Sequence, residues 1–315
     1  MTVWSPSWSG EGLDSDVLHE SGKDPEWNES FYFNFYDKVR DICAFMRIGL
    51  KQNMNEKAAF CFLMMPDSST LGWKGQGPAK NSELTVGNLN FEKILAEKKW
   101  HLAFSGTMEK CRGATVSAEG VSFSADYDCL NRVFDYRDCV SGMNEKITEK
   151  IATQHLEQFG RVRGTLTVGT QEYVLDGLGE RDHSWGVRDW NAPKMWIWLT
   201  CQFSEKSALN VTKLVMDAGA VDAGFIHSEG ENLAVTSADI ETSWDANDEP
   251  KSLEMSLKDR KGNTHNVRAN VMRKIVVPFP SRDGKSLSLM HENLARYEMN
   301  AKVGYGIAEY LIRAR

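Results

Sequence analysis

The 315-residue sequence lacks the features that mark exported, membrane-spanning or nucleic-acid-binding proteins. Its longest apolar run, Ala58 to Met65, is far shorter than the roughly 20 residues that a membrane helix needs. No basic segment followed by an apolar run opens the chain, so no signal peptide is predicted. The formal net charge is -7, and no basic patch could neutralise nucleic-acid phosphates. We therefore expect a cytoplasmic protein without stable membrane insertion and without a nucleic-acid partner.

Motifs for metals and nucleotides are missing as well. The six cysteines form no Cys-x-x-Cys pair and show none of the usual zinc-ligand spacings, so reduced thiols are expected. The chain has no phosphate-binding loop, no dinucleotide fingerprint, no His-Glu-x-x-His and no Gly-x-Ser-x-Gly. We expect no metal and no cofactor.

What the chain does contain is a series of short aromatic or β-branched runs bounded by Gly, Asn, Asp and Pro. Such runs, at a spacing of roughly 8–14 residues, are typical of strands in an antiparallel sandwich or barrel. Residues 161–175 predict a hairpin that turns at Gly169 and Thr170.

One segment, Asn144 to Gln158, predicts a helix instead. Ile147, Ile151, His155 and Phe159 recur at four-residue spacing, with charged residues largely between them. This helix lies near the middle of the chain. We place the boundary there, between an N-terminal domain of residues 1–155 and a C-terminal domain of residues 156–315.

The most informative stretch runs from Arg181 to Trp190. It holds two arginines, two aspartates, a histidine and two tryptophans, and Trp196 and Trp198 follow closely. Bulky aromatic residues favour burial, and buried polar groups must be paired. The combination predicts an aromatic-walled cavity with a few convergent acid and base groups.

The run from Leu175 to Trp190 resembles a segment of the carotenoid 1,2-hydratase (hydroxyneurosporene synthase)/AttH-like superfamily. The segments Glu29 to Asp37 and Gly304 to Tyr310 are also similar, so the resemblance covers nearly the whole chain. It implies a mainly antiparallel all-β fold, with two lipocalin-like barrel or sandwich domains side by side and one or two short helices. Members of the superfamily include hydratases of isoprenoid double bonds, and fungal pericyclases have a similar fold.

Chemistry on an isoprenoid double bond or alcohol passes through a carbocation, or something close to one, and needs a proton donor. Asp182 is the first candidate; to hold a proton near neutrality its pKa must rise by about 3 from roughly 3.9. His183 is the second, as acid or proton relay. Glu309 is a weaker candidate for the same cavity. The candidates for substrate binding are Trp185, Trp190, Trp196, Trp198, Tyr36, Arg188 and Tyr305.

Three functions follow from these residues. The first is a cofactor-independent lyase or isomerase in which a proton initiates hydration, dehydration, isomerisation or cyclisation of a small apolar terpenoid alcohol or alkene. The second is a lipocalin-like carrier of an apolar metabolite, and the third is a pericyclase. A purely structural role is the alternative for the segment, with Arg181 pairing Asp189 or Arg188 pairing Asp182.

Overall fold

The computed structural model describes residues 15–79, 82–139, 154–187, 190–217, 219–281 and 284–314. In these ranges the chain is almost entirely antiparallel β-structure, with two one-turn 3-10 helices at Gln52–Met54 and Tyr136–Asp138. No helix in them has the length and apolar character that a membrane span requires. All six cysteines are free, as predicted.

The first half forms one large sheet, which we call the ring. Its strand order is β4-β3-β2-β1-β11-β10-β8-β7-β6-β5, with β9 beside β10, and a further pairing of β4 with β7 joins its flanks. The strands are β1 (Trp27–Asp37), β2 (Ile42–Lys51), β3 (Glu56–Met64), β4 (Thr70–Gly77), β5 (Leu84–Val86), β6 (Leu89–Leu95), β7 (Lys99–Arg112), β8 (Thr115–Cys129), β9 (Phe134–Asp135), β10 (Gln154–Val168) and β11 (Gln171–Val187).

The second half is a closed barrel in which each strand pairs with the next and the last pairs with the first. Its strands are β12 (Met195–Ser204), β13 (Ser207–Met216), β14 (Gly219–Ser228), β15 (Glu231–Trp244), β16 (Pro250–Asp259), β17 (Thr264–Pro280), β18 (Leu287–Met299) and β19 (Lys302–Arg313). The predicted all-β fold of two lipocalin-like units is confirmed. The hairpin between β10 and β11 turns at Gly169 and Thr170, also as predicted.

The predicted helix over 144–158 is wrong in the part that the structure describes. Residues 154–158 begin β10, which pairs with β11 on one side and with β9 and then β8 on the other. Residues 155–160 are all buried, so the strand lacks the alternation of a half-exposed strand and imitates a helical period. Residues 144–153 lie outside the described ranges.

The chain passes from ring to barrel between Val187 and Met195. The predicted boundary between residues 155 and 156 falls inside β10, whose neighbours on both sides belong to the ring. We therefore propose that the two domains divide in the connection between β11 and β12.

Each unit has its own apolar interior, and a third apolar layer lies between them. Because side chains alternate along a strand, β1 directs Phe31, Phe33 and Phe35 into the ring core. It directs Tyr32 and Tyr36 to the opposite face, where they pack with the barrel residues Trp198, Leu294 and Ile307. The junction therefore brings one face of the ring against one face of the barrel.

Candidate active site at the junction

The ring face of the junction carries a row of polar side chains from three neighbouring strands. Asp182 of β11 is the direct cross-strand partner of Tyr32 in β1 and of Glu157 in β10. Directly opposed residues in paired strands project on the same side of the sheet. Tyr32, Asp182 and Glu157 therefore lie side by side. His155, two residues before Glu157 on β10, projects on the same face.

The barrel face presents a second row in the same manner. Glu309 of β19 is the direct partner of Trp198 in β12 and of Glu292 in β18. Period-two spacing adds Trp196 beside Trp198 and Met290 beside Glu292. Two rows of cross-strand neighbours, each with carboxyl groups and an aromatic ring, thus meet at the junction.

His155 lies between two carboxylates. Its Nε2 is 2.7 Å from Asp182 Oδ2 and 2.9 Å from Glu157 Oε1, and the ring stacks on Tyr136 at 4.6 Å between centroids. Burial alone would lower the pKa of His155, but the nearby charges of Asp182 and Glu157 outweigh it and raise the pKa to about 10. His155 is therefore an imidazolium at neutral pH, paired with Asp182.

Glu157 joins the ring to the barrel. The indole nitrogen of Trp198 donates a hydrogen bond of 2.7 Å to Glu157 Oε1, so a barrel side chain is fixed by a ring carboxyl. Tyr136 donates 2.6 Å to Asn210 Oδ1, and its hydroxyl lies 3.2 Å from Glu157 Oε1. Burial raises the pKa of Glu157. These contacts hold the two faces in a defined register.

A second pair of acids lies on the barrel face. Glu292 is fully buried, and its pKa is raised well above the usual value by burial and by the neighbouring charge of Glu309. The pKa of Tyr32 is raised by burial and by the negative charges of Glu292 and Glu309, with a smaller effect of Asp182. The hydroxyl of Tyr32 is thus within the field of acids from both faces.

These groups surround a small cavity of about 40 Å³. Ligand sites in proteins usually measure about 300–1,000 Å³, so this volume is room for water rather than for a terpenoid. A groove of about 680 Å³ on the barrel is larger, but it is open and lined largely by polar side chains such as Glu254 and Arg268. The lining residues of the junction cavity are Ser30, Tyr32, Arg47, Phe60, His155, Asp182, Trp190, Trp196, Trp198, Phe279, Met290, Glu292 and Glu309.

Aromatic side chains close one side of this cavity. Trp190 stacks on Trp196 with 6.0 Å between ring centroids and lies 5.5 Å from Phe279, and the guanidinium of Arg47 is 5.7 Å from its ring. Trp196 is held by a 2.6 Å hydrogen bond from its indole nitrogen to Thr212. Trp190 lies in the connection between β11 and β12, and Phe279 is the second-last residue of β17, so both lie at the margin of the sheets.

Of the candidates from the sequence, four line the cavity: Asp182, Trp190, Trp196 and Trp198. The weaker candidate Glu309 lines it too. The structure therefore brings Asp182 and Trp190 of the central segment together with Trp196 and Trp198. Arg188 lies outside the described residues.

His183 and Trp185 lie away from the cavity. Consecutive residues of a strand point to opposite faces, so His183 enters the ring interior when Asp182 faces the barrel. His183 Nδ1 is 2.7 Å from the Ser15 carbonyl, and Nε2 is 2.8 Å from Glu29. Trp185 stacks on His19 at 3.6 Å. The side chains of His183 and Trp185 therefore belong to the interior of the ring rather than to the junction.

Tyr36 and Tyr305 contact each other at 5.0 Å between centroids, near the junction but outside the cavity wall. Tyr36 donates a hydrogen bond of 2.7 Å to Asp41. Arg181, a possible partner of Asp189 by sequence, is turned into the ring, where it forms a buried ion pair of 2.7 Å with Asp16.

Sequence reasoning missed His155, Glu157, Tyr136, Tyr32 and Glu292. Tyr32 lies in the segment Glu29 to Asp37 that resembles the superfamily, and the others belong to no local motif, because strand pairing brings them together from distant parts of the chain. The available signals were that segment for Tyr32 and, for His155, a polar residue inside an apolar pattern.

Among the residues that the structure describes, two groups of side chains could hold a metal ion. One consists of His155, Glu157 and Asp182, and the other of His19, Glu29 and His183; within each, the ligand atoms lie within 4.8 Å of one another. Two imidazoles and one carboxylate are a donor set that zinc accepts. The Glu29 carboxylate already accepts from the His19 backbone N–H, with 3.0 Å to Oε2, so the second group is also complete as a hydrogen-bonded cluster.

Solved structures with this fold include proteins of three different descriptions. A proposed AttH from Nitrosomonas europaea is 11% identical, with a TM-score of 0.67 and 99% of both chains covered. Kievitone hydratase from Nectria haematococca is 11% identical, with a TM-score of 0.59 and coverage of 96% of this chain and 95% of its own. CghA with Sch210972 is 10% identical, with a TM-score of 0.59 and coverage of 95% and 94%.

At such identities the likeness establishes the fold alone, and this fold agrees with the one that the sequence resemblance implies. No curated protein sequence matches the chain. The model of a family described as a domain of unknown function, DUF7064, matches residues 12–314, and the chain belongs to that family.

Proposed function

We propose that the protein is an acid–base enzyme of the hydratase or dehydratase type. It adds water to, or removes it from, a neutral apolar substrate of terpenoid kind in the cavity between ring and barrel. The observation that carries this proposal is the Asp182–His155 ion pair of 2.7 Å in an aromatic cavity wall. A paired charge at the wall of an apolar cavity is costly to bury and is typical of a site rather than of a core.

Asp182 is the proton acceptor in this arrangement. Its carboxylate accepts 2.7 Å from Ser184 Oγ and faces the His155 imidazolium, and both contacts stabilise the charged form. Asp182 retains some exposure, 15%, so a water molecule can reach it. We therefore propose that Asp182 is a base rather than the proton donor that the sequence predicts. As a base it activates water in hydration.

The tryptophans supply the charge stabilisation that a carbocation needs. Trp190, Trp196 and Trp198 line the cavity, and the face of an indole is worth about 0.5–2 kcal/mol to a nearby cation. Three lining side chains are carboxyls and two, Arg47 and His155, are basic. The lining therefore offers no excess of positive charge to a phosphate, which favours a neutral alcohol or alkene over a phosphorylated isoprenoid.

A substrate enters only if the cavity widens, since its volume is about 40 Å³. We propose that Trp190 and Phe279 swing outward as substrate binds. The two rings contact each other at the edge of the junction, with 5.5 Å between centroids, and Trp190 lies outside the strands in the connection from β11 to β12. Closure around the bound substrate then excludes bulk water.

Two relatives support a small-molecule function. One carries the name kievitone hydratase, and the structure of CghA contains Sch210972. Their low identity transfers no substrate to this chain. They are consistent with a fold whose members handle organic ligands and with water addition as one of its reactions.

A carrier that encloses its ligand in a barrel is not what the packing favours. Apolar side chains such as Leu102 and Phe104 fill the ring, and Leu199 and Leu257 belong to the core that fills the barrel. The junction cavity contains more acid and base groups than a carrier needs. A pericyclase would need the aromatic wall alone, so its turnover would survive the loss of the Asp182 carboxylate.

The test is incubation with terpene alcohols and alkenes in deuterated water, followed by mass spectrometry of the products. We expect conversion with deuterium on carbon, and a loss of turnover of about 10²–10⁴-fold in Asp182→Asn with ligand binding retained by tryptophan fluorescence. Asp176→Asn on the same strand is the control, because Asp176 pairs with Arg161 at the surface. Full turnover in Asp182→Asn would contradict the proposal and favour a pericyclic reaction.

A further inference from the structure

The carboxyl pair on the barrel face has no place yet in this chemistry. Glu292 and Glu309 are direct partners across β18 and β19, and both line the junction cavity. Glu292 is fully buried, and within the described part of the chain no cation forms an ion pair with it. An acid buried without a cation is expensive as a carboxylate.

Glu309 is half-buried. Two neighbouring carboxyls of which one is fully buried do not readily both ionise, because the second charge is repelled by the first and poorly solvated. Such a pair holds one proton between its members near neutrality. Burial and the charge of Glu309 raise the pKa of Glu292, which makes Glu292 the protonated member. The barrel face therefore offers a proton where the ring face offers a base.

We propose that Glu292, with Glu309 beside it, is the proton donor of the reaction and acts from the barrel wall while Asp182 accepts a proton on the ring wall. This assignment rests on the proposed function and deepens it. Tyr32 lies between the two walls, since it is the cross-strand partner of Asp182 and lines the same cavity as Glu292. A substrate in the cavity lies between donor and acceptor.

In hydration, the Glu292 proton forms a C–H bond at one alkene carbon, water oxygen bonds to the adjacent carbon, and Asp182 takes the proton that this water loses. Glu292 ends as a carboxylate and Asp182 as a carboxylic acid, and exchange with solvent restores both. Because donor and acceptor belong to different walls, H and OH add to opposite faces of the double bond.

The test uses Glu292→Gln in the full chain, with Glu298→Gln as the control. Glu298 lies on the same strand but is about half exposed and pairs with Arg296. Infrared difference spectra between wild type and each variant at neutral pH detect protonated carboxyl groups, and they need no substrate. We expect a protonated-carboxyl band that is lost in Glu292→Gln, shifted in Glu309→Gln and unchanged in Glu298→Gln.

Turnover is measured in the same variants. We expect Glu292→Gln to lose about 10²–10⁴-fold in turnover while bound ligand still quenches its tryptophan fluorescence. The product of the wild-type protein should carry H and OH added from opposite faces. An unchanged infrared spectrum in Glu292→Gln would overturn the assignment. Full turnover in Glu292→Gln would overturn it too. If Asp182→Asn lost turnover while Glu292→Gln kept it, the proposed function would stand and only the donor assignment would fail. If the protonated-carboxyl band were lost in Glu292→Gln but Asp182→Asn turned over normally, the result would contradict the proposed function instead.

Discussion

Two histidine–carboxylate clusters lie on opposite faces of one strand, and their difference separates site from scaffold. The junction cluster has His155 between Asp182 and Glu157, and Asp182 lines a cavity. The cluster in the ring has Glu29 between His19 and His183, each 2.8 Å from Glu29 Oε1.

The composition of the two clusters is alike, but their surroundings are not. His183 stacks on Phe31 at 3.9 Å inside a filled core and is anchored to the backbone of Ser15. Its side chain is fully buried. A histidine beside a carboxylate therefore indicates chemistry only where the pair faces space that a ligand can enter.

The largest effect on the junction cluster is expected from His155→Gln. This change leaves Asp182 and the buried Glu157 without their cation, and breaking a buried pair costs about 3–5 kcal/mol. Denaturant unfolding measures the loss. His101→Gln is the control, because His101 pairs with Asp126 at a 30% exposed site and should change stability by about 1 kcal/mol or less. Equal losses would place His155 among ordinary surface pairs.

The same cluster predicts a pH dependence of stability. The pKa of His155 is about 10 in the folded protein and roughly 6.5 in the unfolded chain. A raised folded-state pKa contributes stability that is complete below the unfolded pKa and is lost as pH rises through the folded pKa. The stability difference between wild type and His155→Gln should therefore shrink between about pH 6.5 and pH 10. A difference that grows with pH would contradict the ion pair.

The ring cluster is broken by Glu29→Gln, which removes the charge that both histidines face. We expect a loss of about 1–3 kcal/mol in unfolding free energy, since buried polar groups lose their partner, while the folded protein keeps its turnover. Glu26→Gln, which breaks a partly exposed pair with Lys51, is the matched control and should cost about 1 kcal/mol or less. Lost turnover in fully folded Glu29→Gln would erase the distinction between the clusters.

The smallest effect is expected from Trp190→Ala. The cavity loses a movable wall, so ligand affinity should fall about tenfold, or 1.4 kcal/mol, with the maximal turnover rate little changed. Ligand titration by fluorescence and steady-state kinetics measure the two effects. Trp244→Ala is the control, because Trp244 is 41% exposed and does not line the cavity. A Trp244→Ala change as large as that of Trp190→Ala would argue against the proposed entrance.

Much of the fold was readable from local patterns. Period-two runs and turn residues predicted the strands and the hairpin at Gly169 and Thr170, because both signals depend on neighbours in sequence. The dense aromatic and charged segment predicted a cavity with Asp182, Trp190, Trp196 and Trp198 in its wall. These features need no knowledge of how distant strands pair.

The rest of the site depends on pairings that local patterns do not encode. Glu292 and Glu309 meet only because β18 pairs with β19, and Tyr32 meets Asp182 only because β1 pairs with β11. His155 was assigned to a helix because β10 is buried on both faces there. One distinction was available earlier: two consecutive strand residues cannot both face one cavity, which separates Asp182 from His183.

The most direct test of the account compares these two adjacent residues. Asp182→Asn and His183→Gln are assayed for turnover per folded molecule, with ligand binding and unfolding measured in parallel. We expect Asp182→Asn to lose about 10²–10⁴-fold in turnover but still bind ligand, and folded His183→Gln to turn over normally and be less stable. Turnover lost in His183→Gln and retained in Asp182→Asn would contradict it and move the chemistry into the ring.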